Sequence, residues 1–312
     1  MNMLVSGSLV HDTIVNFPGK FSDHILPDKI HQLNLSFVTN EASESFGGCA
    51  GNIAYNLALL GERAMILSSV GRDFTPYREH LLSHHIDLTF VKEVTGASTC
   101  KATAITDMSD NQIFALVLGA MTTPCDFKES DLPEGEAMAV IAPGNVDDMR
   151  RLPEIYRKTH TPFMFDPGQQ IAVLSSDDLK NGIRGARVVI ANDYELSLMS
   201  DKTGWREEDI LDNATMLVTT LGEEGSRIRT REKIHDIPAA QAEQVVDPTG
   251  AGDAYRAGFI AGLIKQWPLE TCGRFAATVA AYAVEAQGPQ NHTFTSEEVR
   301  GRYVKNFGTI VE

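Results

Sequence analysis

Short, mostly apolar runs alternate with stretches of helical period along most of the chain. Runs at residues 3–6, 65–70, 137–142, 162–165, 188–191 and 216–220 predict buried strands. Spacing of apolar positions predicts helices over 51–60, 77–85, 146–158, 176–182 and 194–199. That alternation predicts βαβ units, hence an α/β fold with a mostly parallel sheet covered on both faces. The last quarter reads as helical, over 251–265, 269–286 and 296–304.

Two segments break the pattern. Residues 11–46 are β-like and rich in loops, with Phe17, Phe21, Leu33, Leu35 and Phe37 around a Pro18-Gly19 turn. Residues 98–118 read as two alternating strands about an Asp110-Asn111 turn. Neither has a crossover helix. Together they predict a small antiparallel sheet projecting from the main one; the alternative is that they form edge strands of the main sheet.

Composition narrows the function. At 312 residues, with 43% hydrophobic and 22% charged, the chain has enough apolar material for a large core and is not a disordered polymer. Its 27 Lys and Arg against 42 Asp and Glu leave a formal charge of −15. Such a surface disfavours nucleic acid and anionic membrane as partners. An anionic ligand would need local devices such as backbone N–H groups, a metal or a helix N-terminus. No apolar run reaches the length of a membrane span, and the first residues lack the pattern of a secretory signal. The four cysteines, at 49, 100, 125 and 272, are scattered without a C-x-x-C. They read as reduced thiols of a cytoplasmic protein.

The stretch Asp247-Pro248-Thr249-Gly250-Ala251-Gly252-Asp253 runs from a turn straight into a helix of small residues. Gly250 and Gly252 leave the N–H groups at the helix start uncovered, and such groups bind anions. A carboxylate beside an anion cradle repels what the cradle attracts. It makes sense as a base that takes a proton from a hydroxyl attacking a phosphoryl group. The same residues also suit an ordinary glycine turn with an aspartate cap. Neither a G-x-x-x-x-G-K-[ST] loop nor a G-x-G-x-x-G after a first strand occurs. A second glycine pair, Gly47-Gly48, opens a helix carrying Asn52, whose amide both donates and accepts. Asp12, after the first strand, offers a carboxylate to two vicinal hydroxyls.

Together these residues resemble the two signatures of the ribokinase (PfkB) family of small-molecule kinases, closest in appearance to its bacterial nucleoside kinases. Asn192-Asp193-Tyr194-Glu195 matches the family's N-x-x-E element, and Thr220-Leu221-Gly222-Glu223-Glu224-Gly225 resembles its T-x-G-x-x-G loop. The resemblance implies a ribokinase-like α/β/α sandwich over residues 1–312, with lid segments near 13–46 and 97–119. It implies that Asp253 is the catalytic base and that Gly250, Ala251 and Gly252 form the anion hole. Asp12, Gly47, Gly48 and Asn52 would hold the substrate. Asn192, Glu195, Thr220, Gly222 and Gly225 would serve ATP, with Glu195 reaching Mg²⁺ through water. Some members also use a monovalent cation such as K⁺, and Asp247 with Gln287-Gly288-Pro289 falls where that ion would sit.

The implied reaction is phosphorylation of the 5′-hydroxyl of a purine nucleoside such as adenosine. The alternatives are a kinase for ribose, fructose or a similar sugar, and a non-catalytic nucleoside-binding protein. The apolar lid, from Phe17 to Phe37, suits a cover over a flat base; a plainer reading has its phenylalanines pack only the lid or a dimer contact. Asp166-Pro167-Gly168-Gln169-Gln170 departs from the D-x-N-x-R of many sugar kinases, lacking both Asn and Arg. The protein is expected to be a monomer or a homodimer through the lid.

Overall fold

The computed structural model describes residues 1–25, 35–39, 42–109 and 111–310. The chain begins with β1 (Asn2–Ser6), then leaves for a small sheet through β2 (Val10–Asn16) and β3 (Ala42–Gly47). It returns through α1 (Cys49–Leu59), β4 (Arg63–Val70), α2 (Thr75–Ser83) and β5 (Asp87–Glu93). A second excursion makes β6 (Cys100–Thr106) and β7 (Gln112–Val117). Alternation then resumes with β8 (Ala137–Ile141), α3 (Val146–Lys158), β9 (Phe163–Phe165), α4 (Ser176–Ile183) and β10 (Val188–Asn192). After α5 (Asp193–Thr203) and α6 (Glu207–Asn213) come β11 (Met216–Thr220), β12 (Ser226–Arg229) and β13 (Ile234–Ile237). The chain ends in α7 (Ala251–Ile264), α8 (Leu269–Ala283) and α9 (Ser296–Phe307).

Among the described residues the main sheet has nine strands, ordered β13-β12-β11-β10-β9-β8-β1-β4-β5. From β11 to β5 every pairing is parallel, and β12 and β13 add an antiparallel edge. Successive side chains face opposite layers. Met3 and Val5 enter the layer of α1, α7 and α8, while Leu4 enters the layer of α3 and α4. The expected strands and their helical cover are all present. The β12–β13 hairpin, β5 and α6 are additions to the sequence expectation.

From β1 the chain first builds outward through β4 and β5, then crosses back to β8 and builds the other way. The reversal leaves a crevice at the carboxyl ends of β1 and β8, the place where open α/β sheets bind ligands.

The small sheet is ordered β3-β2-β6-β7. It is mixed rather than antiparallel, because β2 pairs with β6 in parallel. Both strands leave the carboxyl ends of parallel strands, β1 and β5, so they set off in the same direction. At the far rim of this lid, Asp107 accepts bonds from the N–H groups of Phe21, Ser109 and Asn111. That carboxylate organises the turn expected at 110–111; Asp110 itself lies outside the described residues. The rings of Phe17 and Phe21 pack on Phe37, at 4.7 and 5.1 Å between centroids. Residues 26–34 of the expected cover lie outside the described residues.

No described helix is long and apolar enough to cross a membrane. The four cysteines are free thiols.

Candidate active site

Helix α7 starts where the 247–250 turn meets the crevice. The Asp247 carboxylate accepts the Thr249 N–H at 2.9 Å through one oxygen, and the Gly288 N–H at 2.9 Å and Gln287 Nε2 at 3.3 Å through the other. It thereby joins this turn to the one at 287–289. Gly250, the N-cap, has φ +82°, and a Cβ there would lie 2.5 Å from Pro289. Only glycine combines that left-handed conformation with that close approach.

Ala251 turns its N–H back to the Pro248 carbonyl at 3.2 Å, so it is not part of a free cradle. The Gly250, Gly252 and Asp253 N–H groups remain at the positive end of the helix with no bond among the described residues. Asp253, in the first turn, accepts Asn52 Nδ2 at 2.8 Å. One turn on, Arg256 makes a two-pronged pair with Asp166, Nε to Oδ2 at 2.5 Å and Nη2 to Oδ1 at 2.8 Å, and donates to the Gly252 carbonyl at 2.9 Å. Arg256 and Asp166 are 7% and 1% exposed, so this is a desolvated pair.

A cavity of about 330 Å³ spreads in front of this helix start, lined by Gly250, Gly252, Asp253, Arg256, Asp166 and Cys49. Its other wall carries Asn192, Glu195, Thr220 and Gly222, from the ends of β10 and β11. The N-x-x-E element is a reciprocal cap on α5. Asn192 Oδ1 accepts the Glu195 N–H at 2.7 Å, and Glu195 Oε2 accepts the Asn192 N–H at 2.9 Å. That bond fixes one Glu195 oxygen, while Oε1 has no bond among the described residues. Gly225 is not at the cavity: its backbone packs against Ile237–Ala239, where a Cβ would lie 2.0 Å from the Ile237 carbonyl oxygen.

The substrate-side residues lie under the small sheet. Gly47 faces Asp12 so closely that a Cβ would lie 1.9 Å from its Oδ2. Gly48, at φ +90°, caps α1. Val10, Asp12 and Ala102 share one face of the lid, and Val10, Cys100, Ala102 and Met121 form an apolar patch beside that carboxylate. Asn52 is 4% exposed and is bound on both sides, to Asp253 and to Gln290. In this state it orders the Asp253 carboxylate rather than facing an open substrate site.

Burial pushes Asp253 up to about 6, although Arg256 and Asn52 pull the other way. Burial, with Asp247 adding to it, also raises Asp12 to about 6. Burial likewise raises Glu195, against the bond from the Asn192 N–H.

A profile of pfkB family carbohydrate kinases matches residues 19–295. The chain belongs to this family, the ribokinase family. Its members transfer a phosphoryl group to a hydroxyl acceptor, and this chain is such a phosphotransferase. It is 32% identical over 283 residues to the nucleoside kinase of Methanocaldococcus jannaschii, covering 89% of this chain and 92% of that one. It is similar in structure to the nucleoside kinase of Burkholderia thailandensis in complex with inosine. That likeness has a TM-score of 0.88 at 35% identity and covers 99% of both chains. It is also 27% identical over 270 residues to an ATP-dependent 6-phosphofructokinase of Thermoanaerobacterium thermosaccharolyticum, covering 78% of this chain and 80% of that one.

Three residues of the site have no role in the sequence expectation. Asp166 opens the 166–170 stretch and Arg256 stands three residues past Asp253, but only the fold pairs them. A lone arginine inside a helix of small apolar residues was the available signal, since a buried cation needs a partner. Gln290, 238 positions from Asn52, left no local signal.

The raised carboxylates set a pH dependence. Chemistry that needs Asp12 and Asp253 ionised loses rate as pH falls through about 6, the value of both. Initial rates across pH should therefore give a kcat/KM that is level above neutrality and falls on the acid side, approaching two protons below about pH 6. A profile level down to about pH 4.5 would contradict the assignment of these two groups.

Proposed function

We propose that the protein is an ATP-dependent nucleoside kinase that phosphorylates the 5′-hydroxyl of a purine nucleoside such as adenosine or inosine. The observation carrying this reading is the placement of Asp253. A half-buried carboxylate with a raised pKa stands at a helix N-terminus, between the cavity and the Asp12 side of the crevice. In this reading Asp253 takes the proton of the attacking hydroxyl. The Gly250 and Gly252 N–H groups and the dipole of α7 steady the charge on the transferred group. Asp12 holds the ribose diol, and Gly47 leaves room for it. The buried apolar patch of Val10, Cys100 and Ala102, with Met121 partly buried against it, lies beside Asp12 and gives a flat heterocycle an apolar neighbour.

Nucleotide phosphates fit the other wall, beside Asn192, Glu195, Thr220 and Gly222. No group of three or more His, Cys, Asp or Glu side chains among the described residues is arranged to hold a metal ion. The one free carboxylate oxygen of Glu195 suits Mg²⁺ held mainly by phosphates and water. When bound, that ion would neutralise charge on the β- and γ-oxygens. A monovalent cation near Asp247 would take its oxygens from backbone carbonyls, because the carboxylate already accepts three N–H bonds.

The substrate class is tested by ADP release with adenosine, inosine, guanosine, ribose and fructose as acceptors. Turnover of the nucleosides with little of the free sugars is expected. Turnover of free sugars alone would replace this reading with a sugar kinase, and no turnover with any of the five would overturn it by excluding these nucleosides as acceptors.

Asp253→Asn keeps size and polarity but removes the base. Its kcat should fall by about 10²–10⁴-fold with nucleoside Kd little changed. A variant keeping more than about a third of wild-type kcat would remove Asp253 from that role.

Asp12→Ala should weaken nucleoside binding by about 1.5–3 kcal/mol and leave the KM for ATP unchanged. Calorimetry with adenosine and with its 2′,3′-dideoxy analogue separates the roles, since equal losses for both would show that Asp12 does not read the diol.

A further inference from the structure

A hydrogen-bonded chain runs behind the site, from a backbone carbonyl to Asp253, and its polarity is set at one end. The Gly47 carbonyl can only accept, so Tyr77 donates its hydroxyl proton there, at 2.8 Å. Burial raises the Tyr77 phenol far above its ordinary value, so the proton stays on. The phenol oxygen is then an acceptor, and Gln290 Nε2 donates to it at 2.6 Å. His80 Nε2 lies 3.1 Å from Gln290 Oε1 and donates to it in the Nε2–H tautomer, which keeps the Gln290 amide the same way round. The second proton of Gln290 Nε2 goes to Asn52 Oδ1 at 2.8 Å. With its oxygen so engaged, Asn52 must turn its nitrogen to Asp253, the 2.8 Å bond already described. The opposite amide orientation would set a carbonyl oxygen against the carboxylate.

We infer that Gln290 and Tyr77 are positioning residues: through Asn52 they keep a hydrogen-bond donor, rather than an acceptor, on Asp253. Both side chains are buried, at 4% and 0% exposed; neither lines the cavity in front of α7, while Gln290 and His80 border the pocket beside Asp12. The phenol ring is independently held by stacking on Phe46, at 4.5 Å between centroids. Packing therefore explains the ring, and the hydroxyl is left for the chain. The inference rests on Asp253 as the base.

Loss of the donor has a definite sign. A bond given to the carboxylate favours its ionised form, so losing it raises the pKa of Asp253. Besides Asn52, the groups that act on Asp253 are Arg256 on α7 and Asp166 after β9 by charge and the Cys49 thiol on α1 by a hydrogen bond, and the variants below leave all three in place.

Gln290→Met keeps length and removes every polar contact of the side chain. Its kcat should fall about 10- to 100-fold, with the KM for ATP within about twofold of wild type. The acid limb of the kcat profile should move to higher pH. Tyr77→Phe keeps the stacked ring and removes only the hydroxyl, and it should show the same shift with a smaller loss, about threefold or more. Each variant is compared at equal folded fraction by thermal melting. A folded Gln290→Met with wild-type kcat and acid limb overturns the inference, as does a loss of kcat with the acid limb unmoved, which marks a role in packing alone. Where Gln290→Met does not fold, Tyr77→Phe decides by the same two readings. Asp253→Asn run in parallel separates the failures. If it stays active, the base assignment fails; if it is inactive while the Gln290 and Tyr77 variants behave as wild type, only this inference fails.

Discussion

The buried pair of Arg256 and Asp166 fixes the start of α7, on which the geometry of the cavity depends. Taking both charges out of water is expensive, and removing one partner leaves the other unpaired, at a cost of about 3–5 kcal/mol. The pair is held in two-pronged geometry, with a third bond from Arg256 to the Gly252 carbonyl. It therefore fastens the first turns of α7 to the segment after β9. That turn carries the free N–H groups and Asp253, and once it is fixed, Asn52 on α1 has a carboxylate to meet.

The same pair regulates the charge of the site. Asp166, Glu195 and Asp253 line the cavity with Arg256, so carboxylates outnumber the guanidinium. Opposing influences meet at Asp253: burial raises its pKa, Arg256 and the bonds from Asn52 and Cys49 lower it, and Asp166 partly undoes what Arg256 does. Burial wins, but the result, about 6, leaves the group mostly ionised at neutral pH and more basic than an exposed aspartate. A base that kept its ordinary value would take a hydroxyl proton less readily. One pushed much higher would be protonated at neutral pH.

What sequence carries about this molecule follows the range of each interaction. The parallel strands are legible because burial on both faces makes them apolar along their length. The α5 start is legible because Asn192 and Glu195 close a cap within four residues. The β12–β13 hairpin escapes a search for apolar runs, since Arg227, Arg229, His235 and Asp236 interrupt the buried Ser226, Ile228 and Ile237. The direction of β2 against β6 depends on where both strands leave the main sheet, and no local pattern encodes that. At the site, the glycines and Asp253 stand in one short motif, whereas the partners of Asn52 and Arg256 come from residues 290 and 166 and meet only in three dimensions.

Distance along the lid also changes the basis for a nucleoside acceptor. The phenylalanine cluster suggested a cover over a base, yet Phe17, Phe21 and Phe37 pack on one another at the far rim. Phe17 follows β2 directly, five residues beyond Asp12, which at about 3.3 Å per residue places it roughly 16 Å away. A base attached to a ribose held at Asp12 spans less than that, so it meets the root of the lid before it meets the rim. At the root stand Val10, Cys100, Ala102 and Met121, apolar and adjacent to Asp12. The apolar neighbour available to a base at Asp12 is therefore this small patch and not the aromatic rim.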